Sequence, residues 1–322
     1  MESIEWLDIE LTSFCNIECK GCFRVISAHA DKILNKHYIT LDTIRERFHK
    51  HQFPNIKIIN FCGSVDEPTS HPQFHQIIEH FAQWGVYINI ATNGSIRTTA
   101  WWEKLAGVLP EDHHVTWGID GSDELSEVYR QGSNYKKVQQ NYRAFNGAGG
   151  RSIWQFIVFE HNEHQLEEAR AIAKAEGFQQ LKTIISHRKD TKGGVRAAVP
   201  TSHKAKPNPV DKIKEIPYIN CKYGNQKRIF INHTGNVIPC CHLNSKMMEY
   251  EATGTVKDEF EQLLLDNQHH DTINLNSVGI EQAINSDVWQ GIIDSWSSDN
   301  PVPRCMQVCK HMKQDKFIKE EL

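Results

Sequence analysis

Over the first 190 residues, short apolar runs alternate with stretches whose apolar positions recur every three or four residues. Ile4 to Leu11 and Ile56 to Phe61 read as strands. Pro72 to Trp84 sets Phe74, Ile77, Ile78, Phe81 and Trp84 on one helical face, and Gly85 stops that helix before a strand from Val86 to Ala91. The pattern then repeats, with strands at Val115 to Ile119, Ile153 to Phe159 and Leu181 to Ile185, and helices at Tyr135 to Phe145 and Gln165 to Ala175. Strands alternating with helices predict parallel βα units, whose active sites lie at the carboxyl ends of the strands.

The periodicity stops between Ser186 and Pro217, where two glycines and four prolines mark a linker carrying eight Lys or Arg against three acidic residues. Beyond it, Arg228 to Pro239 reads as a hairpin turning at Thr234-Gly235. Trp289, Ile292, Ile293 and Trp296 share helical spacing and read as core.

Charge is nearly balanced, 36 basic and 40 acidic residues for a net of -4, which argues against a dedicated nucleic-acid binder. No apolar run approaches the roughly 18 residues of a membrane-spanning helix, and no signal peptide is evident, so a cytoplasmic protein is expected. Of the 18 histidines, the pairs His113-His114 and His269-His270 sit in polar stretches and read as surface residues. No Ser-His-Asp order and no phosphate-binding glycine loop is present.

The nine cysteines change this picture, because they are grouped. Cys15, Cys19 and Cys22 form C-x3-C-x2-C directly after the first strand. Thiolates select zinc or iron-sulfur clusters, and three of them on a four-iron cubane leave one iron open to an exogenous ligand. A structural zinc site would bring a fourth Cys or His in a paired motif; the next histidines are His29 and His37. A second constellation comprises Cys221, Cys240 and, much later, Cys305 and Cys309, suited to a full cluster or a structural zinc.

The first spacing resembles the signature of the radical S-adenosylmethionine (radical SAM) superfamily, in which the open iron chelates S-adenosylmethionine and the reduced cluster cleaves it to a 5'-deoxyadenosyl radical. Other stretches resemble that family in the expected order. Asp66-Glu67-Pro68 stands at the place of its Gly-Gly-Glu-Pro motif, Thr92-Asn93-Gly94 resembles the segment near the ribose and methionine of the cofactor, and Asp120 followed by Arg130 stands where relatives place an Arg on the cofactor carboxylate. The residue before the third motif cysteine is commonly aromatic and holds adenine; here it is Gly21, and Phe23 is the substitute. Cys221-x13-Gly235-x4-Cys240 resembles the opening of SPASM and twitch extensions, and the cysteine count fits the shorter twitch form with one auxiliary [4Fe-4S] cluster. Cys240 matches the count, with Cys241 its adjacent competitor.

The resemblance implies a partial (β/α)6 barrel over residues 1–190, a linker over 191–217 and a twitch domain of hairpin plus helix over 218–322. It further implies oxidoreductase-type hydrogen abstraction from a substrate, with an external electron donor such as flavodoxin or ferredoxin. Related enzymes modify ribosomally made peptides or dehydrogenate cyclitol alcohols; peptide modification is the first expectation, a small sugar or cyclitol alcohol the second. No leader-binding domain precedes the first strand, which weighs against a peptide, although the basic linker or a separate protein could supply recognition. A noncatalytic zinc-binding protein is the alternative from another class.

Overall fold

The computed structural model describes residues 1–34, 37–185, 219–266, 269–309 and 317–321, so most of the expected linker lies outside the described residues. Its strands are β1 (Trp6–Ile9), β2 (Glu18–Cys19), β3 (Ile58–Phe61), β4 (Tyr87–Thr92), β5 (His114–Gly118), β6 (Arg130–Gln131), β7 (Arg151–Val158), β8 (Gln180–Ile185), β9 (Arg228–Ile231), β10 (Val237–Ile238) and β11 (Phe317–Glu321). Two compact units share them. Neither unit is contiguous in sequence, whereas the expected boundaries follow chain order.

The first unit holds residues 1–13, most of 29–66 and the described part of 219–309. Here β1 pairs in parallel with β3 and, on its other side, with β9 in the register Trp6 to Arg228 through Ile9 to Ile231. The expected hairpin exists, β10 running antiparallel to β9, and the place of its first strand, β9, beside β1 is a feature the apolar pattern did not indicate. Leu7, Ile9, Ile59 and Ile231 are completely buried. Helix Leu41–Arg47 between β1 and β3 is capped by Thr40, whose hydroxyl accepts the Thr43 N–H at 3.0 Å. Helix Cys241–Thr253 follows the hairpin and stops at Gly254, which takes φ 63. On helix Asp287–Ser295 the buried positions are Val288, Trp289 and Ile292, while Ile293 is exposed, so the expected apolar face includes one solvent residue.

The second unit holds residues 14–28, 67–185 and 317–321. Its strands β4, β5, β7 and β8 pair in parallel in that order, and β11 closes the edge of β8 antiparallel. The connecting helices are Phe74–Ala82, Thr99–Val108, Tyr135–Gly147 and Leu166–Ala175. Thr98 and Asn134 cap two of them, and Gly177 at φ 77 follows the last, helix Leu166–Ala175. Trp102, Trp117, Tyr142, Phe145 and Trp154 fill the space between sheet and helices; the buried indoles are satisfied, Trp117 by Ser152 Oγ and Trp154 by Ile119 O, each at 2.8 Å. His113 corrects a surface expectation. It is buried, with Nε2 2.7 Å from the Val86 carbonyl, and His114 meets Tyr87 OH at 3.0 Å; the side chains of His269 and His270 lie outside the description.

Both units are therefore α/β with mainly parallel strands. Among the described residues no helix is long and apolar enough to cross a membrane.

Candidate cofactor and metal sites

The C-x3-C-x2-C segment belongs to the second unit. Cys19 lies in β2, pairing antiparallel with Arg130 of β6, and the chain then turns so that Cys22 N–H reaches Cys19 O at 3.0 Å. Gly21 takes φ 75 in that turn, a conformation L side chains resist, which gives a backbone reason for a glycine where relatives carry an aromatic residue. Cys22 then heads the short helix Phe23–Ile26, on which Phe23 is half-buried. All three thiols are partly exposed. Burial, with a contribution from Glu67, pushes the Cys15 thiol up to about 12, so a metal must displace a tightly held proton there.

Glu67 sits beside this loop, 2% exposed, and is enclosed by donors. Its Oε1 accepts from Thr69 Oγ1 at 2.6 Å and Thr92 Oγ1 at 2.7 Å, and its Oε2 from Asn93 N–H at 2.6 Å. Burial raises its carboxyl above the usual range, the hydrogen bonds opposing. Pro68 opens the buried helical turn that Glu67 caps. Held this way, Asn93 extends Nδ2 to Asn16 Oδ1 at 3.0 Å and to Cys15 Sγ at 3.6 Å. Gly94 follows at φ 67, where a Cβ would stand 2.6 Å from Trp117. The end of β4, the Glu67 turn and the cysteine loop are thus tied by one carboxylate and one amide.

Asp120 and Arg130 form a buried ion pair, Arg130 Nε to Asp120 Oδ2 at 2.8 Å, while Asp120 Oδ1 accepts Ile157 N–H at 2.8 Å. Burial disfavours the Arg130 charge, but Asp120 outweighs it and the net shift is upward. The guanidinium packs on Gly118, where a Cβ would come within 2.6 Å. Asp66 is placed in the first unit instead, its Oδ2 accepting Leu11 N–H at 3.3 Å.

The first unit also holds the other thiol group. Cys221 caps a helical turn, its sulfur accepting Gly224 N–H at 3.3 Å; Cys240 precedes helix Cys241–Thr253; Cys305 and Cys309 stand one turn apart on helix Pro303–Cys309. All four are buried and line one cavity with Trp296, His242 and Arg304. The Cys221 thiol hydrogen-bonds to Cys309 and holds the latter down at about 6, while burial pushes Cys305 up to about 11. Cys241 does not line this cavity. Its sulfur lies 3.6 Å from Tyr223 OH and interacts electrostatically with Cys62. Among the described residues no three His, Cys, Asp or Glu side chains stand close enough to share one metal ion. The donors themselves, three thiols in one loop and four around one cavity, are of the kind that spreads over the irons of a cluster.

Several residues of these surroundings went unread in the sequence. Asn16 and Ser95 bond each other at 2.8 Å, and Arg97, at φ 73, donates to the carbonyls of Thr69, Ser70 and His71 behind Glu67. Asn16 carries a signal, since it lies inside the cysteine motif; Arg97 carries none.

A sequence model of the radical SAM superfamily matches residues 9–173, just over half of the chain. A 103-residue stretch is 32% identical to the tungsten-containing aldehyde ferredoxin oxidoreductase cofactor-modifying protein of Pyrococcus furiosus, covering 32% of this chain and 28% of that protein. A 128-residue stretch is 30% identical to the S-adenosylmethionine-dependent nucleotide dehydratase of a Thermoplasmatales archaeon, covering 38% and 40%. The matches thus span less than half of either relative. Among solved structures, SuiB of Streptococcus suis aligns with a TM-score of 0.62 at 13% identity, over 96% of this chain and 72% of that one, a likeness of fold.

Proposed function

Because the chain belongs to the radical SAM superfamily, we propose that it binds a [4Fe-4S] cluster on Cys15, Cys19 and Cys22 and S-adenosylmethionine at that cluster's open iron. When bound, these cofactors supply reductive cleavage to a 5'-deoxyadenosyl radical and hydrogen abstraction from a substrate. The observation that carries the reading is the tie between the three-thiol loop and the Glu67-Thr92-Asn93 network, with the Asn93 amide aimed at the Cys15 sulfur.

The protein's own residues then have defined tasks. Asn93 donates to a ligand sulfur, and Glu67 holds Asn93 and Thr92 in place. Asp120 keeps Arg130 charged and oriented, a group suited to the cofactor carboxylate. Phe23 and Pro68 complete the cofactor surroundings within the second unit.

The C-terminal segment is read as a twitch-type domain, its hairpin and following helix carrying an auxiliary [4Fe-4S] cluster on Cys221, Cys240, Cys305 and Cys309. Four buried thiols around one cavity support this, with Lys222 and Arg304 nearby to offset the negative charge of four thiolates. With no ligand position left over, the role assigned is electron transfer in an oxidative reaction, the first cluster being reduced by a flavodoxin or ferredoxin.

For the substrate, a ribosomally made peptide is preferred, supported by the fold shared with SuiB, which has been crystallised with the precursor peptide SuiA. The partial identity with a nucleotide dehydratase supports the second reading, a small sugar or cyclitol alcohol. Iron and sulfide content of anaerobic protein, measured with 5'-deoxyadenosine formation, tests the proposal. About eight irons per chain with cleavage is expected; zinc without iron, or iron without cleavage under strong reduction, overturns it.

A further inference from the structure

Glu10 is completely buried just past β1, where no role was assigned to it. One carboxylate there gathers four donors from three segments. Its Oε2 accepts the backbone N–H groups of Ser64 and of Val65, the latter at 3.1 Å; its Oε1 accepts from His233 Nδ1 at 2.7 Å and Asn244 Nδ2 at 3.2 Å. Asn244 Nδ2 also reaches Ser64 Oγ at 3.2 Å, and its own Oδ1 accepts from Asn232 Nδ2 at 3.0 Å. Asn232 in turn organises the hairpin turn, accepting Asn236 N–H at 2.8 Å. Asn232, His233 and Asn244 are each at most 1% exposed. Gly63 packs directly on the carboxylate, where a Cβ would collide with the Glu10 side chain.

Every one of these contacts lies within the first unit. Ser64 and Val65 belong to Gly63 to Asp66, the loop that runs directly on into Glu67 and Pro68, and so fixes the chain that delivers the Glu67 carboxylate to Thr92 and Asn93. An unsupported buried carboxylate would leave that loop, so the imidazole and amide that complete its shell control whether it stays. Burial penalises the Glu10 charge, but His233 and the loop amides more than offset this and hold the carboxyl below its usual range.

We propose that His233 and Asn244 are positioning residues for the loop Gly63 to Asp66, acting through Glu10, and that they set the affinity for S-adenosylmethionine from the C-terminal segment. This rests on the reading of the site given above. It implies that residues 9–173, though the family model matches them, do not hold the loop leading into Glu67 unaided.

The test is equilibrium dialysis of radiolabelled S-adenosylmethionine against full-length, anaerobically reconstituted protein, with iron content and thermal unfolding measured in parallel. His233→Ala is expected to weaken binding at least about tenfold, and Asn244→Ala about threefold, both at wild-type iron content. His233→Asn, which retains a donor toward Glu10, is expected to stay within about threefold of wild type. Wild-type affinity in His233→Ala, or equal loss in the Asn and Ala variants, overturns the proposal. Should His233→Ala not fold, wild-type affinity in Asn244→Ala overturns it alone. Wild-type protein that binds no S-adenosylmethionine removes the underlying reading as well, a result visible before any variant is made.

Discussion

The two thiol groups are built in opposite ways. Cys15, Cys19 and Cys22 come from eight successive residues, remain partly exposed, and are braced by the Glu67 carboxylate and the Asn93 amide just past β4. Cys221, Cys240, Cys305 and Cys309 come from three distant segments, are at most 7% exposed, and have cationic neighbours. A local, open loop leaves room for a ligand to enter and leave. A closed pocket assembled by tertiary packing excludes ligands and favours a group that only gains or loses electrons.

The sharpest way to break this comparison is to remove each group separately. The triple variant Cys15→Ala/Cys19→Ala/Cys22→Ala is expected to lose about four irons and all 5'-deoxyadenosine formation, while keeping about four irons in the other pocket. Retained cleavage would end the distinction. Next in size, Cys240→Ala should lose about four irons and Cys241→Ala none, because only Cys240 lines the cavity; iron analysis of the two single variants decides.

A third measurement concerns the closed side alone. Glu251 is exposed as a residue, but desolvation of its carboxyl raises it to about 7, against opposing help from His233 and Asn236. Between the ordinary value of 4.5 and about 7 the folded state keeps a proton that the unfolded state has lost, so stability falls as pH rises through that window. Glu251→Gln, which can still accept from Asn236, should therefore raise stability at pH 8, by an amount that solvent screening of this exposed side chain keeps small, and change it little at pH 4.5. Denaturant unfolding at the two pH values checks the sign. A mild effect is expected on the open side: Gly21→Ala should cost about 1–2 kcal/mol through its positive φ, lowering cluster retention without abolishing it.

The parallel βα series was legible because its signals are local. Alternation marked β4 and β7, a 3.6-residue period marked helix Phe74–Ala82, and glycines at positive φ marked the helix ends. The same holds for the cysteine loop, whose spacing is complete in eight residues. The pairing of β9 with β1 was not legible, since both edges are apolar runs with nothing to name a partner more than two hundred residues away. Asp120 with Arg130 was visible as two candidates but not as one ion pair, because the contact depends on the β2 to β6 bridge and on the space left by Gly118. Glu10 read as an ordinary residue beyond a strand; only the chain's return at His233 and Asn244 makes it a hub.

The parallel seam between β1 and β9 also orders events in time. Translation delivers domains from the N-terminus onward, so the three-thiol loop is available once Cys22 has cleared the ribosome, whereas one side of β1 waits until β9 has been made. Throughout that interval the growing polypeptide carries an apolar, half-paired strand, and the closed pocket still lacks Cys305 and Cys309. On the proposed reading, metal loading of the two centres would thereby be staggered, and a chaperone that shields β1 during synthesis would act before the second centre could form.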